Sequence, residues 1–283
     1  IQKSSSPVVQ NAALLLVANL ATTAPNLVLH SVMPIFTFMG TSVLRQSDDY
    51  SAHVVSQTIK EVVPPLIESL RQGKKSPVAG ACDILVSFTT AYEHIPAHRR
   101  LGLFVALVET LGPRDFLFAL ISMLVDRYDT SDALLHFVVD LLNNFSTEIQ
   151  LESFVKLLDL VADLFKPKPG ISFILLGISE DREDKNIDKI ALRQLSALPS
   201  FLASKKLKAQ VGKLVGRDDM EASEVRELYS LLLENLLVLA DKVKLNKALH
   251  GRCGASLSNL LNLLSIGEFI KSVENLLDRP DMG

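Results

Sequence analysis

Tryptophan is missing from this sequence, and phenylalanine and tyrosine raise the aromatic share to only 6%. The hydrophobic 48% is therefore carried mainly by leucine, valine, isoleucine and alanine, and leucine and alanine are strong helix formers. Cysteine occurs twice, at Cys82 and Cys253, far apart and in no paired motif. Nothing in that spacing suggests a disulfide framework or a zinc site, and a reducing compartment is expected. An excess of charge is also lacking. Lysine and arginine number 29 against 32 acidic residues, a net charge of −3, which offers no global attraction to nucleic acid or an anionic membrane. No glycine-rich phosphate loop, no HExxH, no CxxC and no Gly-x-Ser-x-Gly occurs anywhere in the chain. These absences argue against an enzyme, and no cofactor, metal or small-molecule substrate is expected. No secretory signal is visible. The chain opens at Ile1 without methionine, so a segment of something longer is expected.

Between Lys3 and Arg45 there is no charged residue at all, a length that could hold two membrane spans. The stretch is nevertheless interrupted by Asn11, Asn19, Pro25, Asn26, His30 and Pro34, and its longest clean apolar run is Ala12 to Ala18. A buried helix pair accounts for it better, and no membrane contact is expected.

What the chain does contain is a recurring polar spacing. Glu152, Lys156, Asp159 and Asp163 fall four, three and four apart, with almost only apolar residues between them. Asp132, His136, Asp140 and Asn143 repeat the rule, as do Glu224, Glu227, Ser230 and Glu234, and Asp115, Ser122 and Asp126 fit it. At 3.6 residues per turn each set is one narrow polar stripe. A surface helix has a broad polar face, so these helices are expected to be covered on both flanks, as in stacked helical hairpins.

Punctuation agrees with helices throughout. Ser76-Pro77 reads as an N-cap followed by a first-turn proline, Thr147 with Gln150 as a capping box, and Gly40, Gly73, Gly112 and Gly216 as stops. The pattern predicts helices near 8–23, 26–40, 51–71, 77–91, 98–111, 114–128, 131–145, 148–165, 187–198, 200–216, 222–240, 242–250 and 256–278, with kinks at Pro34 and Pro64-Pro65. Helix pairs recurring about every 40 residues match the HEAT and armadillo period. No strand alternation survives inspection. The expected fold is all-α, an α-solenoid of HEAT-like helical hairpins running through residues 1–283. Lys166 to Asn186 stands out as either a long excursion between repeats or a seam between two stacks.

Few residues invite chemistry. His94 and His98 stand four apart beside Glu93, but Pro96 between them disfavours a helix presenting both. His30 and His136 lie within helical patterns, and Cys82 falls on an apolar face beside Ile84 and Leu85. Two basic clusters are candidates for a polyanion or partner contact. Arg99 and Arg100 open a helix after His98, and Lys205, Lys206, Lys208, Lys213 and Arg217 follow one another along another. Clustered cations supply sequence-independent affinity for phosphate, and no aromatic residue is interleaved to stack bases. Helical angles bring Lys206, Lys213 and Arg217 closest together, with Lys205 and Lys208 flanking.

Two stretches resemble a known family. One is His30-Ser-Val-Met-Pro-Ile-Phe-Thr-Phe-Met-Gly-Thr-Ser-Val-Leu-Arg45, continuing through Asp48-Asp49-Tyr50-Ser51 to Val63-Pro64-Pro65-Leu66-Ile67. The other is Glu93-His-Ile-Pro-Ala-His-Arg-Arg-Leu101 with Leu107-Val108-Glu109-Thr110-Leu111-Gly112. Both are similar to the very large HEAT-repeat subunit of the small-subunit processome, a U3 small nucleolar RNA-associated protein of the UtpA subcomplex. The likeness covers about residues 27 to 128; beyond that only the style of repeat is shared. The resemblance implies an internal or C-terminal-half segment of a scaffold in ribosome biogenesis, with other processome (UtpA) proteins as partners and pre-ribosomal RNA as a further one. It also implies a role in ribosomal RNA transcription and processing, a location in the nucleus and nucleolus, and no catalytic residues. A HEAT-type transport or trafficking adaptor of karyopherin or adaptin kind shares the architecture and is the alternative, since fold alone does not separate the two.

Overall fold

The computed structural model describes residues 6–24, 28, 32–43, 48–72, 78, 81–128, 130–178, 184–215, 217, 219–264 and 267. Among the described residues there is no strand, and none of their helices is long and apolar enough to cross a membrane. The chain is all-α, built of helical hairpins of the α-solenoid class. It divides into two compact units, Ile1–Met123 and Leu124–Gly283.

In the first unit α1 (Pro7–Thr23), α2 (Val32–Phe38), α3 (Asp49–Gln72), α4 (Cys82–Ala91) and α5 (Ala97–Leu111) follow in order, and α6 (Pro113–Tyr128) begins. A π-helical turn, Met39–Val43, extends α2, and a 3-10 turn, Tyr92–His94, follows α4. Helices two apart stack on each other: α1 on α3, α3 on α5, and α2 on α4. Leu14, Ala18, Val55, Ile59, Val62, Phe104 and Leu107 are buried along the first of these rows. Phe36 and Phe88 meet in the second, their ring centroids 5.8 Å apart.

A chain of polar side chains runs along the row of α1, α3 and α5. Asn11 donates from Nδ2 to Ser51 Oγ at 2.8 Å, and Ser51 Oγ donates to Asp48 Oδ2 at 2.6 Å. Asp48 also accepts from the Ser51 N–H at 2.8 Å, so it caps α3. These Ser51 hydrogen bonds hold the Asp48 carboxyl below the usual carboxylate range. Arg99, near the start of α5, donates to the Asp48 carbonyl at 2.6 Å and to Asp49 Oδ1 at 2.7 Å.

The second unit holds α7 (Asp132–Leu142), α8 (Thr147–Leu164), the single-turn α9 (Ile171–Leu175), α10 (Asp184–Leu202), α11 (Lys205–Val215), α12 (Met220–Lys242) and α13 (Lys247–Leu261). Rows form here too, but they skip two or three helices instead of one. α10 packs on both α7 and α13, and α12 packs on α8. Between the rows, α8 meets α10 and α12 meets α13. Phe154 stacks on Phe201 with centroids 6.3 Å apart, and Tyr229, 1% exposed, donates to the Leu260 carbonyl at 3.1 Å.

The polar stripes need correction at three places. Asp132, His136, Asp140 and Asp159 are exposed as expected, but Asp163, Ser122 and Ser230 are buried. Ser122 sits in a run, Phe116 to Val125, in which every residue is buried; a helix apolar all round tolerates one small hydroxyl. Asp163 is buried because the chain after α8 folds back over it. Its Oδ2 accepts from Gly170 N–H (2.9 Å), Ser172 N–H (3.1 Å) and Ser172 Oγ (2.7 Å), while Lys166 pairs with Oδ1 at 3.1 Å. Burial alone would raise this carboxyl; the Ser172, Lys166 and Gly170 hydrogen bonds outweigh it and hold the group below its ordinary range.

Several boundaries also differ. α10 runs through Pro199 to Leu202, where a break was expected. α13 is one helix through Gly251 and Gly254, not two. The capping box at Thr147 does not form: Ser146 is the N-cap and Gln150 donates to the Phe145 carbonyl at 2.9 Å. Gly40 lies inside the π-helical turn, whereas Gly112 ends α5 with φ at 112°, a conformation that favours glycine. Pro64 and Pro65 lie inside α3. The expectations at Ser76-Pro77, Gly73, Gly216 and beyond residue 267 lie outside the described residues.

Candidate polyanion-binding surface

The arginine cluster is absorbed by its own unit. Arg99 has a side chain only 15% exposed and is engaged with Asp48 and Asp49. Arg100 donates from Nε to the Ile95 carbonyl at 2.8 Å and from Nη2 to Glu93 O at 3.0 Å. Its guanidinium lies 4.6 Å from the Tyr92 ring centroid, and Tyr92 in turn meets Phe104 edge-on at 6.0 Å. Arg100 therefore braces the turn Tyr92–Pro96 that leads into α5, and Arg99 ties α5 to the start of α3. The two stretches that prompted the family resemblance meet here, through Arg99. A cavity of about 190 Å³ lies beside them, lined by Val55, Ser56, His98, Arg99, Gly102 and Leu103 among others.

The lysine cluster is arranged differently. α11 buries Leu207, Val211, Leu214 and Val215 and packs on α12 and α8. The opposite face is exposed at Lys205, Lys206, Lys208, Ala209, Gly212 and Lys213. Arg226 of α12 donates to the Val215 carbonyl at 3.1 Å and to the Arg217 carbonyl at 2.8 Å, closing the end of the helix. Arg217 lies beyond that end and pairs with both Asp219 and Glu221. Lys206 donates to the Asn143 carbonyl at 2.6 Å, at the C-cap of α7. Lys205, Lys208 and Lys213 have no hydrogen-bond or ion-pair partner among the described residues. The triplet Lys206, Lys213 and Arg217 suggested by helical angles is thus split, because the helix ends before Arg217. Lys205, Lys208 and Lys213 are the unengaged cations.

Among the described residues no three His, Cys, Asp or Glu side chains are placed to hold a metal ion. His94 lies in the 3-10 turn and His98 in α5, both exposed. Cys82 and Cys253 are buried and form no disulfide; burial pushes the first thiol up and the second to about 11, which keeps both in the unreactive thiol form.

Residues 77–266 match the family model described as HEATR1-like, HEAT repeats. Over 282 residues the chain is 60% identical to the U3 small nucleolar RNA-associated protein 10 of Pyricularia oryzae, covering 100% of this chain and 16% of that protein. The protein of the same name from Neurospora crassa is 56% identical over 283 residues, again 100% of this chain and 16% of the relative. That of Aspergillus fumigatus is 46% identical over 282 residues, 99% of this chain and 16% of the relative. The chain therefore spans about a sixth of the length of these relatives.

Proposed function

Because the chain belongs to the HEATR1-like family of HEAT repeats, we propose that it is a non-catalytic scaffold segment in ribosome biogenesis. In this reading it holds small-subunit processome proteins, those of the UtpA subcomplex included, on nascent pre-ribosomal RNA in the nucleolus, and so supports ribosomal RNA transcription and processing. One observation carries it: relatives at 60% and 56% identity along the whole chain are named for association with the U3 small nucleolar RNA. The architecture suits the role. Within each unit the helices stack in rows, and repeat stacks are used as extended binding platforms. The adaptor alternative has the fold in common but no support from the relatives' names.

Crosslinking mass spectrometry of native particles carrying the full-length protein tests the proposal. Crosslinks from these residues to processome subunits are expected. Recovery of the protein in transport complexes, with none in pre-ribosomal particles, would overturn it.

A further inference from the structure

We propose that the exposed face of α11 is a seat for the phosphate backbone of RNA, held by Lys205, Lys208 and Lys213 over a floor of Ala209 and Gly212. This deepens the scaffold reading and rests on it for the choice of RNA among polyanions.

Three features of one helix converge. The first is charge. α11 carries four lysines and no acidic residue, and at about 100° per residue all four fall within an arc of about 160° on its exposed side. Arg217 holds the carboxylates of Asp219 and Glu221 that follow the helix. The second is placement against local preference. The first turn of a helix favours acidic residues, because the helix dipole puts positive charge there. α11 instead begins Lys-Lys-Leu-Lys, and of those three lysines only Lys206 has an internal contact, with Asn143. The third is Gly212, in the middle of the helix and exposed. A glycine there costs helix stability relative to alanine, and close packing is the usual reason to keep one. No packing reason exists here, since a Cβ at this position would meet nothing within 4 Å.

Together these describe a shallow track. On the helical wheel Lys208 borders one side, Lys206 and Lys213 the other, and the small residues Ala209 and Gly212 lie between them near Lys205. A phosphodiester strand laid along it could come close to the backbone while three free ammonium groups reach its oxygens. No aromatic residue lies on α11, so base stacking is not part of the contact and sequence preference should be weak. RNA fits this surface better than an acidic peptide because its charge is continuous, as the track is.

The test is a titration of the 283-residue chain with a fluorescein-labelled 20-nucleotide oligouridylate, repeated between 50 and 200 mM salt. Binding through about three phosphates predicts a slope of log affinity against log salt near −2. Because Gly212 is uncrowded, its substitutions read charge without disturbing packing. Gly212→Lys should tighten binding several-fold and Gly212→Glu weaken it several-fold, with both melting no lower than the parent. Lys205→Glu, Lys208→Glu and Lys213→Glu combined should lower affinity at least tenfold; Lys206 is left intact because it ties α11 to α7. Indistinguishable curves for Gly212→Lys and Gly212→Glu overturn the proposal, as does equal binding by the triple variant. Polyglutamate that binds as tightly as the oligouridylate replaces RNA by an acidic protein segment and likewise overturns it. The scaffold reading fails separately: it falls if full-length protein is missing from pre-ribosomal particles, whatever α11 binds.

Discussion

Asp163 shows how much one side chain can organise. Three donors from Gly170 and Ser172 converge on a single oxygen, and Lys166 takes the other. Replacing it with alanine leaves the Gly170 and Ser172 donors without their acceptor, and about 1–3 kcal/mol of stability should be lost, measured by urea unfolding. The pH dependence follows from the depressed carboxyl. Its folded-state pKa lies below the unfolded value, so its stabilisation is complete above the unfolded carboxylate range and disappears as pH falls through the folded value. Urea midpoints taken from pH 6 downward should therefore fall less steeply at acid pH in Asp163→Ala than in the parent. Leu158 is the apolar counterpart. It is 1% exposed in α8, and Leu158→Ala should cost about 2–5 kcal/mol; a loss under about 1 kcal/mol would contradict its burial.

At the scale of elements, caps and partner helices decide what periodicity leaves open. Asn246 accepts from the Ala248 and Leu249 N–H groups and so caps α13, while its Nδ2 donates to Asp188 of α10 at 3.0 Å. One residue thus starts a helix and fastens it to its row neighbour. Asn246→Ala should lower stability by about 0.5–2 kcal/mol, and amide exchange should quicken first in the opening turn of α13. The helices themselves were largely legible in the sequence, because a 4-3-4 polar rhythm marks an apolar surface wrapped around a helix. What the rhythm does not report is which partner covers the stripe. Ser230 and Asp163 sat on stripes and are buried, Asp163 because the returning loop lies over it. Proline and glycine misled for a related reason. Pro199 costs α10 one backbone hydrogen bond, and Gly251 and Gly254 weaken α13, yet packing against neighbours holds both helices together through these positions. At the candidate surface the lysines were legible as a cluster. Which of them are free was not, because the contact of Lys206 with Asn143 depends on where the end of α7 lies, and that of Arg217 with Asp219 on where α11 ends.

The chain as a whole carries apolar residues on the outside of both units. In the first, α1 exposes Val9 (49%), Leu16 (61%) and Leu20 (41%), a single stripe at helical spacing. In the second, α12 exposes Leu231, Leu237 and Val238. Contiguous apolar surface of this kind marks interaction sites. The 283-residue chain is expected to self-associate as its concentration rises, and Leu16→Lys with Leu20→Lys should reduce that association. Static light scattering showing a strict monomer at every concentration would contradict the expectation.

Stacking of helices in rows has a kinetic consequence as well. The row contacts join segments 40 to 80 residues apart: α3 returns to α1, α5 to α3, α13 to α10 and α12 to α8. Loop-closure entropy grows only slowly with such separations, and a longer chain of the same kind adds neighbours without adding distant ones. Folding can then advance while the ribosome is still translating, α3 settling on α1 soon after it emerges and each later helix finding its seat already made. The chain's order of synthesis is in this way written into its order of packing.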